Sequence, residues 1–120
     1  MVLAGCASKA DVKNAQELIP IFHQWLDAAN YDAIVAATDV EYRKSSQQED
    51  LAAPFRKAHE RLGTTVNSQW LDTSVVTLIG GARVTVHHQT KFEKGDMRET
   101  FTFMIRDHKT YLLKYEVTPL

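Results

Sequence analysis

Apolar and polar positions recur at helical spacing over the first half of this chain and alternate with a period of two over the second. The alternation is clearest over residues 82–106, which read as two long strands folded back at Lys94-Gly95-Asp96. On the first strand Val84, Val86, His88, Thr90 and Phe92 alternate with Arg83, Thr85, His87, Gln89 and Lys91. The second sets Met97, Glu99, Phe101, Phe103 and Ile105 against Arg98, Thr100, Thr102, Met104 and Arg106. With a two-residue Gly95-Asp96 turn, Thr90 lies opposite Phe101, His88 opposite Phe103 and Val86 opposite Ile105, so the two apolar faces coincide. A shift of one residue would set Gln89 against Phe101 and bury polar groups, which excludes it.

Two more strands flank this hairpin. Residues 66–79 are rich in Thr, Val and Trp and turn into it at Gly80-Gly81. A strict two-residue turn points Leu71, Thr73, Val75 and Thr77 inward, whereas a one-residue bulge points in Trp70, Asp72, Ser74 and Val76; the sequence leaves both open. The last strand, 111–117, follows the turn at Asp107-His108-Lys109-Thr110, and a three-residue loop sets Ile105 against Leu113, Phe103 against Tyr115 and Phe101 against Val117.

Ahead of the strands, Ala15, Ile19, Phe22, Leu26 and Ala29 form a helical stripe that Leu18 and Trp25 widen. Pro20 interrupts it without changing its phase, which predicts a kink or a late start. Asn30 is the expected left-handed stop and Asp32 the expected cap of a shorter second helix. Ser46-Gln47-Gln48-Glu49 has the spacing of a capping box before a third helix carrying Leu51, Phe55, Ala58 and Leu62, with Gly63 as its stop. Pro54 requires either a kink in that helix or a restart at Asp50. Three helices followed by four antiparallel strands predict an α+β domain with the helices on one face of a curved sheet.

Composition narrows the class. A chain of 120 residues is one domain, and a formal net charge of -1 leaves no basic excess for displacing counterions from nucleic acid. The densest basic run, Arg56, Lys57 and Arg61, is interleaved with Glu60 and reads as a solvated helix face. Cys6 is the single cysteine, so no disulfide forms within the chain. Leu3-Ala4-Gly5-Cys6 resembles the lipobox of bacterial lipoproteins, with Met1-Val2 standing where most of a signal peptide is expected. This sets residues 1–12 as lipobox remnant and flexible tether and 13–120 as the domain, lipid-anchored at the cell envelope and facing the periplasm or exterior.

The stretch Trp25-Leu26-Asp27-Ala28-Ala29-Asn30-Tyr31-Asp32-Ala33, then Tyr42-Arg43, Glu60-Arg61-Leu62-Gly63 and the closing strand at 111–115 resemble the nuclear transport factor 2-like superfamily. Its members are cystatin-like α+β rolls, and within it the pattern resembles small bacterial exported proteins and lipoproteins of unknown function. The resemblance implies a cone with a pocket between sheet and helices, and one such fold hosts enzymes, binding modules and assembly domains.

For that pocket the expected lining is His88, Phe101, Phe103, Tyr115 and Trp25, with Trp25, Phe22 and Phe55 also suited to plain core packing. His88 is the inward imidazole, and in the bulged register Asp72 sits opposite to orient it. Glu99 is expected at the open rim opposite Phe92, solvated or paired with Lys91 or Lys94. Members of the superfamily that isomerise or dehydrate small molecules use an Asp or His base with a Tyr or Asp donor. Tyr42, Tyr111 and Tyr115 are the phenols at hand here, and none aligns with those enzymes. His87 and His88 point to opposite faces and share no ion, while His23, His59 and His108 lack ligand spacing, so no metal or other cofactor is expected. These residues predict a lipid-anchored, non-enzymatic protein, monomer or weak homodimer, binding a small apolar molecule or an envelope protein in its cone. The alternatives are a cofactor-independent lyase or isomerase using His88 with Asp72, and a structural dimerisation module.

Overall fold

The computed structural model describes residues 8–45 and 50–120. Four helices, α1 (Lys9–Asp27), α2 (Tyr31–Ala36), α3 (Val40–Ser45) and α4 (Ala53–Leu62), precede four strands, β1 (Thr65–Leu78), β2 (Gly81–Phe92), β3 (Gly95–Arg106) and β4 (Lys109–Pro119). The strands form one antiparallel sheet in the order β1-β2-β3-β4, curved and unclosed. The α+β class is the one the periodicity predicts, with α3 as an additional short helix.

Helix α1 starts inside the stretch that composition assigns to a tether. Ser8 accepts from the Asp11 backbone N–H at 3.1 Å while the Asp11 carboxylate accepts from the Ser8 N–H at 3.0 Å, a capping box that fixes the first turn. Pro20 removes one bond to the preceding turn, yet α1 continues through it, because Ala15, Ile19, Phe22 and Leu26 bury a single stripe on both sides. The left-handed residue after α1 is Ala29 (φ 55°), and Asn30 instead caps α2 by accepting from the Ala33 N–H. Residues 46–49, where the second capping box was expected, lie outside the described residues. Asp50 accepts from the Ala52 N–H at 3.0 Å, and Pro54 falls in the first turn of α4, so the chain restarts here without an interior proline.

The β2–β3 turn is Glu93-Lys94, not Gly95-Asp96, so the hairpin register moves while its faces stay the same. Val86 faces Phe101, Val84 faces Phe103, Ala82 faces Ile105 and His88 faces Glu99. The shift has a tertiary cause: Glu93 N–H donates to Thr64 O and Lys94 N–H to Leu62 O, each at 3.0 Å, pinning the turn to the end of α4. Gly63 permits this approach, since a Cβ there would stand 2.8 Å from the Glu93 carboxylate. The β1–β2 turn is Ile79-Gly80; Gly81 already belongs to β2, where a Cβ would lie 2.0 Å from the Ile105 carbonyl oxygen. The β3–β4 turn is the two left-handed residues Asp107 and His108 (φ 52° and 62°). A bulge at Leu113 then sets Phe101 against Tyr115 and Glu99 against Val117, so the three-residue-loop register does not form.

In β1 both expected arrangements occur, in different halves. Near the turn Thr73, Val75 and Thr77 pair with the inward Val86, Val84 and Ala82. An irregularity between Trp70 and Asp72 then inserts Leu71, after which Trp70 and Ser68 pair with the inward His88 and Thr90. The core is formed by Ile19, Phe22 and Leu26 of α1, Ile34, Phe55 and the inward faces of β2 and β3. Phe22 meets Phe101 edge-on at 5.2 Å and Phe55 at 6.1 Å. Each fully buried side chain of this size contributes about 1.5–3 kcal/mol by leaving water.

Candidate functional site

The inward face of β3 carries one ionisable residue, Glu99, and it is completely buried (0% exposed). The expectation of a solvated rim residue is therefore corrected: the register shift moves Glu99 from opposite Phe92 to opposite His88, two pairs deeper under α1. A buried carboxylate is costly unless hydrogen-bonded, and three elements supply its direct partners while a fourth joins behind them. His23 of α1 approaches Oε1 through Nε2 at 2.7 Å, Thr90 of β2 donates to the same oxygen at 2.5 Å, and the Tyr115 hydroxyl of β4 donates to Oε2 at 2.5 Å. The fourth element, β1, joins through Ser68, whose Oγ lies 2.7 Å from Thr90 Oγ1 and 2.7 Å from His88 Nδ1.

The donor order along this chain follows from counting protons. Thr90 has one hydroxyl proton and gives it to Glu99, so Ser68 donates to Thr90 and His88 Nδ1–H donates to Ser68. His88 is thus held in one tautomer, with Nε2 left as the acceptor. Burial lowers its pKa, opposed by the nearby Glu99 charge and assisted by His23, so the neutral ring is favoured. For Tyr115, burial first and then the Glu99 carboxylate, through its charge and the hydrogen bond, push the pKa well above the usual phenol value; Asp27 adds to this.

Asp72 does not join His88. It lies on the opposite face, where its carboxylate is 2.6 Å from His87 Nδ1, because Leu71 absorbs the extra residue before Trp70. The expected pocket residues His88, Phe101 and Tyr115 stay together, with the His88 and Tyr115 rings centred 6.0 and 5.1 Å from that of Phe101. Phe101 and Phe103 are core, stacked nearly parallel at 6.1 Å. Trp25 is half-buried and, with Leu18, Phe22, Ile34 and Phe103, surrounds a residual space of about 10 Å³, too small for a ligand. Cys6 lies outside the described residues.

A slot of about 200 Å³ opens instead between α4 and the far ends of β3 and β4. Its walls are Pro54, Ala58 and Leu62 on one side and Met97, Tyr115 and Val117 on the other, with Lys57 and Arg61 at the rim. Tyr115 belongs to both features: its ring lines the slot while its hydroxyl turns inward to Glu99. The sequence signal for Glu99 was its place on an otherwise apolar face, and that for Ser68 and Thr90 was alternation alone. His23 carried no signal except its position beside Phe22 on the α1 stripe. Among the described residues no cluster of His, Cys, Asp and Glu has the arrangement of a metal site. No family model matches the chain, and no match is found among curated proteins.

Proposed function

We propose that this chain is a non-enzymatic binding protein of the bacterial cell envelope that holds a small, mainly apolar molecule in the slot between α4 and β3–β4. The observation that carries the reading is the contrast between the filled space around Trp25 and the open slot against Tyr115. At about 30 Å³ per water, the slot has room for roughly seven. That suits a compact ligand, and its walls are mostly aliphatic. The resemblance to nuclear transport factor 2-like rolls agrees with a site at the open end of a cone. Attachment through lipid on Cys6 is supported by Leu3-Ala4-Gly5-Cys6.

Native mass spectrometry of the protein, alone and after exposure to a panel of small apolar compounds, tests the binding reading. The expected result is a retained or acquired small molecule that Ala58→Trp excludes while the far-ultraviolet circular dichroism is unchanged. A wild-type protein that neither carries nor acquires one overturns it. Expression of the gene with its complete signal peptide tests the anchor, with a lipid mass on Cys6 expected.

One observation favours a second reading, a cofactor-independent lyase or isomerase. Tyr115 presents its ring to the slot and leads through its hydroxyl to a buried carboxylate and His23. Tyr115→Phe separates the two, since a binding protein retains its ligand in that variant and an enzyme loses turnover.

A further inference from the structure

Leu78, Gly81, Arg106 and Lys109 pair in one row across the four strands, so the Ile79-Gly80 and Asp107-His108 turns project from the same end of the sheet. The start of α1 is tied to that end as well, because the Asp11 carboxylate lies 3.0 Å from His108 Nδ1. Cys6 stands two residues before the Ser8 cap, a reach of about 7 Å for extended chain. A lipid on Cys6 therefore holds this end, and not the slot, against a membrane. The slot lies at the other end, where Lys94 N–H meets Leu62 O beside the β2–β3 turn.

The end nearest Cys6 has an apolar tip that the fold does not require. Ile79 is fully exposed (107%) at a hairpin turn position where Gly, Asn or Asp is usual. Gly80 supplies the left-handed residue (φ 81°), so the isoleucine contributes neither turn geometry nor packing. Val76 follows on the outer face of β1, and Val40 is exposed beside Asp107 and Lys109. Lys9, Arg83 and Lys109 are exposed at this end of the domain and form no ion pair among the described residues. Arg106 is shared by two carboxylates, Asp39 and Glu41, which leaves that cluster one negative charge in excess. Asp107 is a further exposed acid of this turn, so Lys9, Arg83 and Lys109 outnumber these uncompensated acids by one.

We propose that this end docks on an anionic bilayer, with Ile79 entering the interface and Lys9, Arg83 and Lys109 facing the headgroups. The inference rests on the lipid-anchored reading. An acyl anchor limits distance but leaves orientation free, and a second apolar and basic contact removes that freedom. Docked in this way, the domain turns the slot toward the aqueous side.

Because Cys6 is the single cysteine, the protein can be coupled through it to a maleimide lipid in vesicles of phosphatidylglycerol and phosphatidylethanolamine. Ile79→Trp then reports insertion by fluorescence quenching from brominated acyl chains, with the tethered wild type giving the background of Trp25 and Trp70. The expected quenching is at least about twofold above that background, and weaker on phosphatidylcholine. A second variant, Ile79→Asp, is expected to lower the fraction of untethered protein that sediments with phosphatidylglycerol vesicles severalfold. Equal quenching of Ile79→Trp and wild type overturns the proposal. So does a solution dimer that Val75→Lys dissociates while vesicles leave the fluorescence unchanged, which would assign the β1 edge to a second copy. Absence of lipid on Cys6 in cells removes the anchor reading alone, because chemical coupling tests the docking end independently.

Discussion

Along β4, residues 37–39 run beside the strand: Asp39 N–H donates to Leu112 O at 2.7 Å and Leu112 N–H to Ala37 O at 2.8 Å, leaving Leu112 buried. Along β1 no described segment takes that place, and Val66, Trp70, Leu71, Val75 and Val76 stay 40–57% exposed. The two edges come from the same alternating pattern. What separates them is the helical layer, which α1 and α3 extend over β4, while α1 reaches β1 through isolated contacts such as Gln16 to Thr73 and Asp27 to Thr65. Apolar alternation thus says which face a residue takes, and only the reach of the covering layer says whether that face is dry. An uncovered edge strand invites pairing or a membrane unless something blunts it. Here the two irregularities at Val66 and Leu71 blunt the first half of β1 and leave the second half regular.

The comparison can be broken most forcefully at the residue that joins both edges. Glu99 takes a hydrogen bond from β4 through Tyr115 and is connected to β1 through Thr90 and Ser68. Glu99→Ala leaves those donors and His23 unpaired in the interior, and a loss of about 3–5 kcal/mol is expected from urea denaturation. Next in size is a matched pair of edge truncations. Leu112→Ala should cost about 2–5 kcal/mol, as buried leucines do. Leu71→Ala at the exposed bulge should cost less than about 1 kcal/mol. Equal losses would show that β1 is as well covered as β4.

The covered edge also has an ionic lock, since Arg106 holds Asp39 at 2.9 and 3.1 Å. Burial raises the Asp39 pKa, but the Arg106 hydrogen bond, the Glu41 and Val40 backbone N–H groups and the Arg106 charge outweigh it and leave the carboxyl below its ordinary 3.8. A folded pKa below the unfolded one gives stability that is complete above 3.8 and lost as pH falls toward the folded value. Asp39→Asn is accordingly expected to cost about 1–3 kcal/mol at neutral pH, with the gap to wild type closing in acid. The smallest effect belongs to the β1 side of the sheet, where His88 of β2 meets Ser68. Burial holds His88 below its ordinary 6.5, so its contribution is complete above that value and lost as pH falls below it. Thermal melts between pH 7 and 5 should therefore fall more steeply for wild type than for His88→Gln.

Strand faces were legible in the sequence because a period of two survives any even error in register. Placing the turn at Gly95-Asp96 moved every partner of Thr90, His88 and Val86, yet left each of them pointing inward. What was not legible depended on contacts distant in the chain. The turn at Glu93-Lys94 is selected by carbonyls at Leu62 and Thr64, and the burial of Glu99 follows from that selection. Asp72 and His88 were paired on paper by a bulge near Gly80-Gly81. The bulge exists, but at Leu71, on the far side of Asp72, which is enough to send that carboxylate to His87. Tyr115, expected in the pocket lining, does line an opening, with its ring centred 5.1 Å from that of Phe101, although Phe101 and Phe103 themselves are buried core. Trp25 could be read as core or pocket because the stripe of an amphipathic helix does not distinguish the two.

The bulge has one more consequence, for how this chain can change length. On either side of Leu71 the ladder is intact, with Trp70 against His88 and Asp72 against His87, so at this point the strand holds one residue more than its partner needs. A descendant that lost Leu71 would keep every cross-strand neighbour and every inward side chain. A loss anywhere from Thr73 to Thr77 would instead have to draw on that spare residue, turning over the side chains in between. By the same count Val66, left over between Thr65 and Asn67, is a second spare residue, so relatives of this protein should vary in length at Leu71 and Val66 and hold length constant through the regular stretch from Asp72 to Leu78.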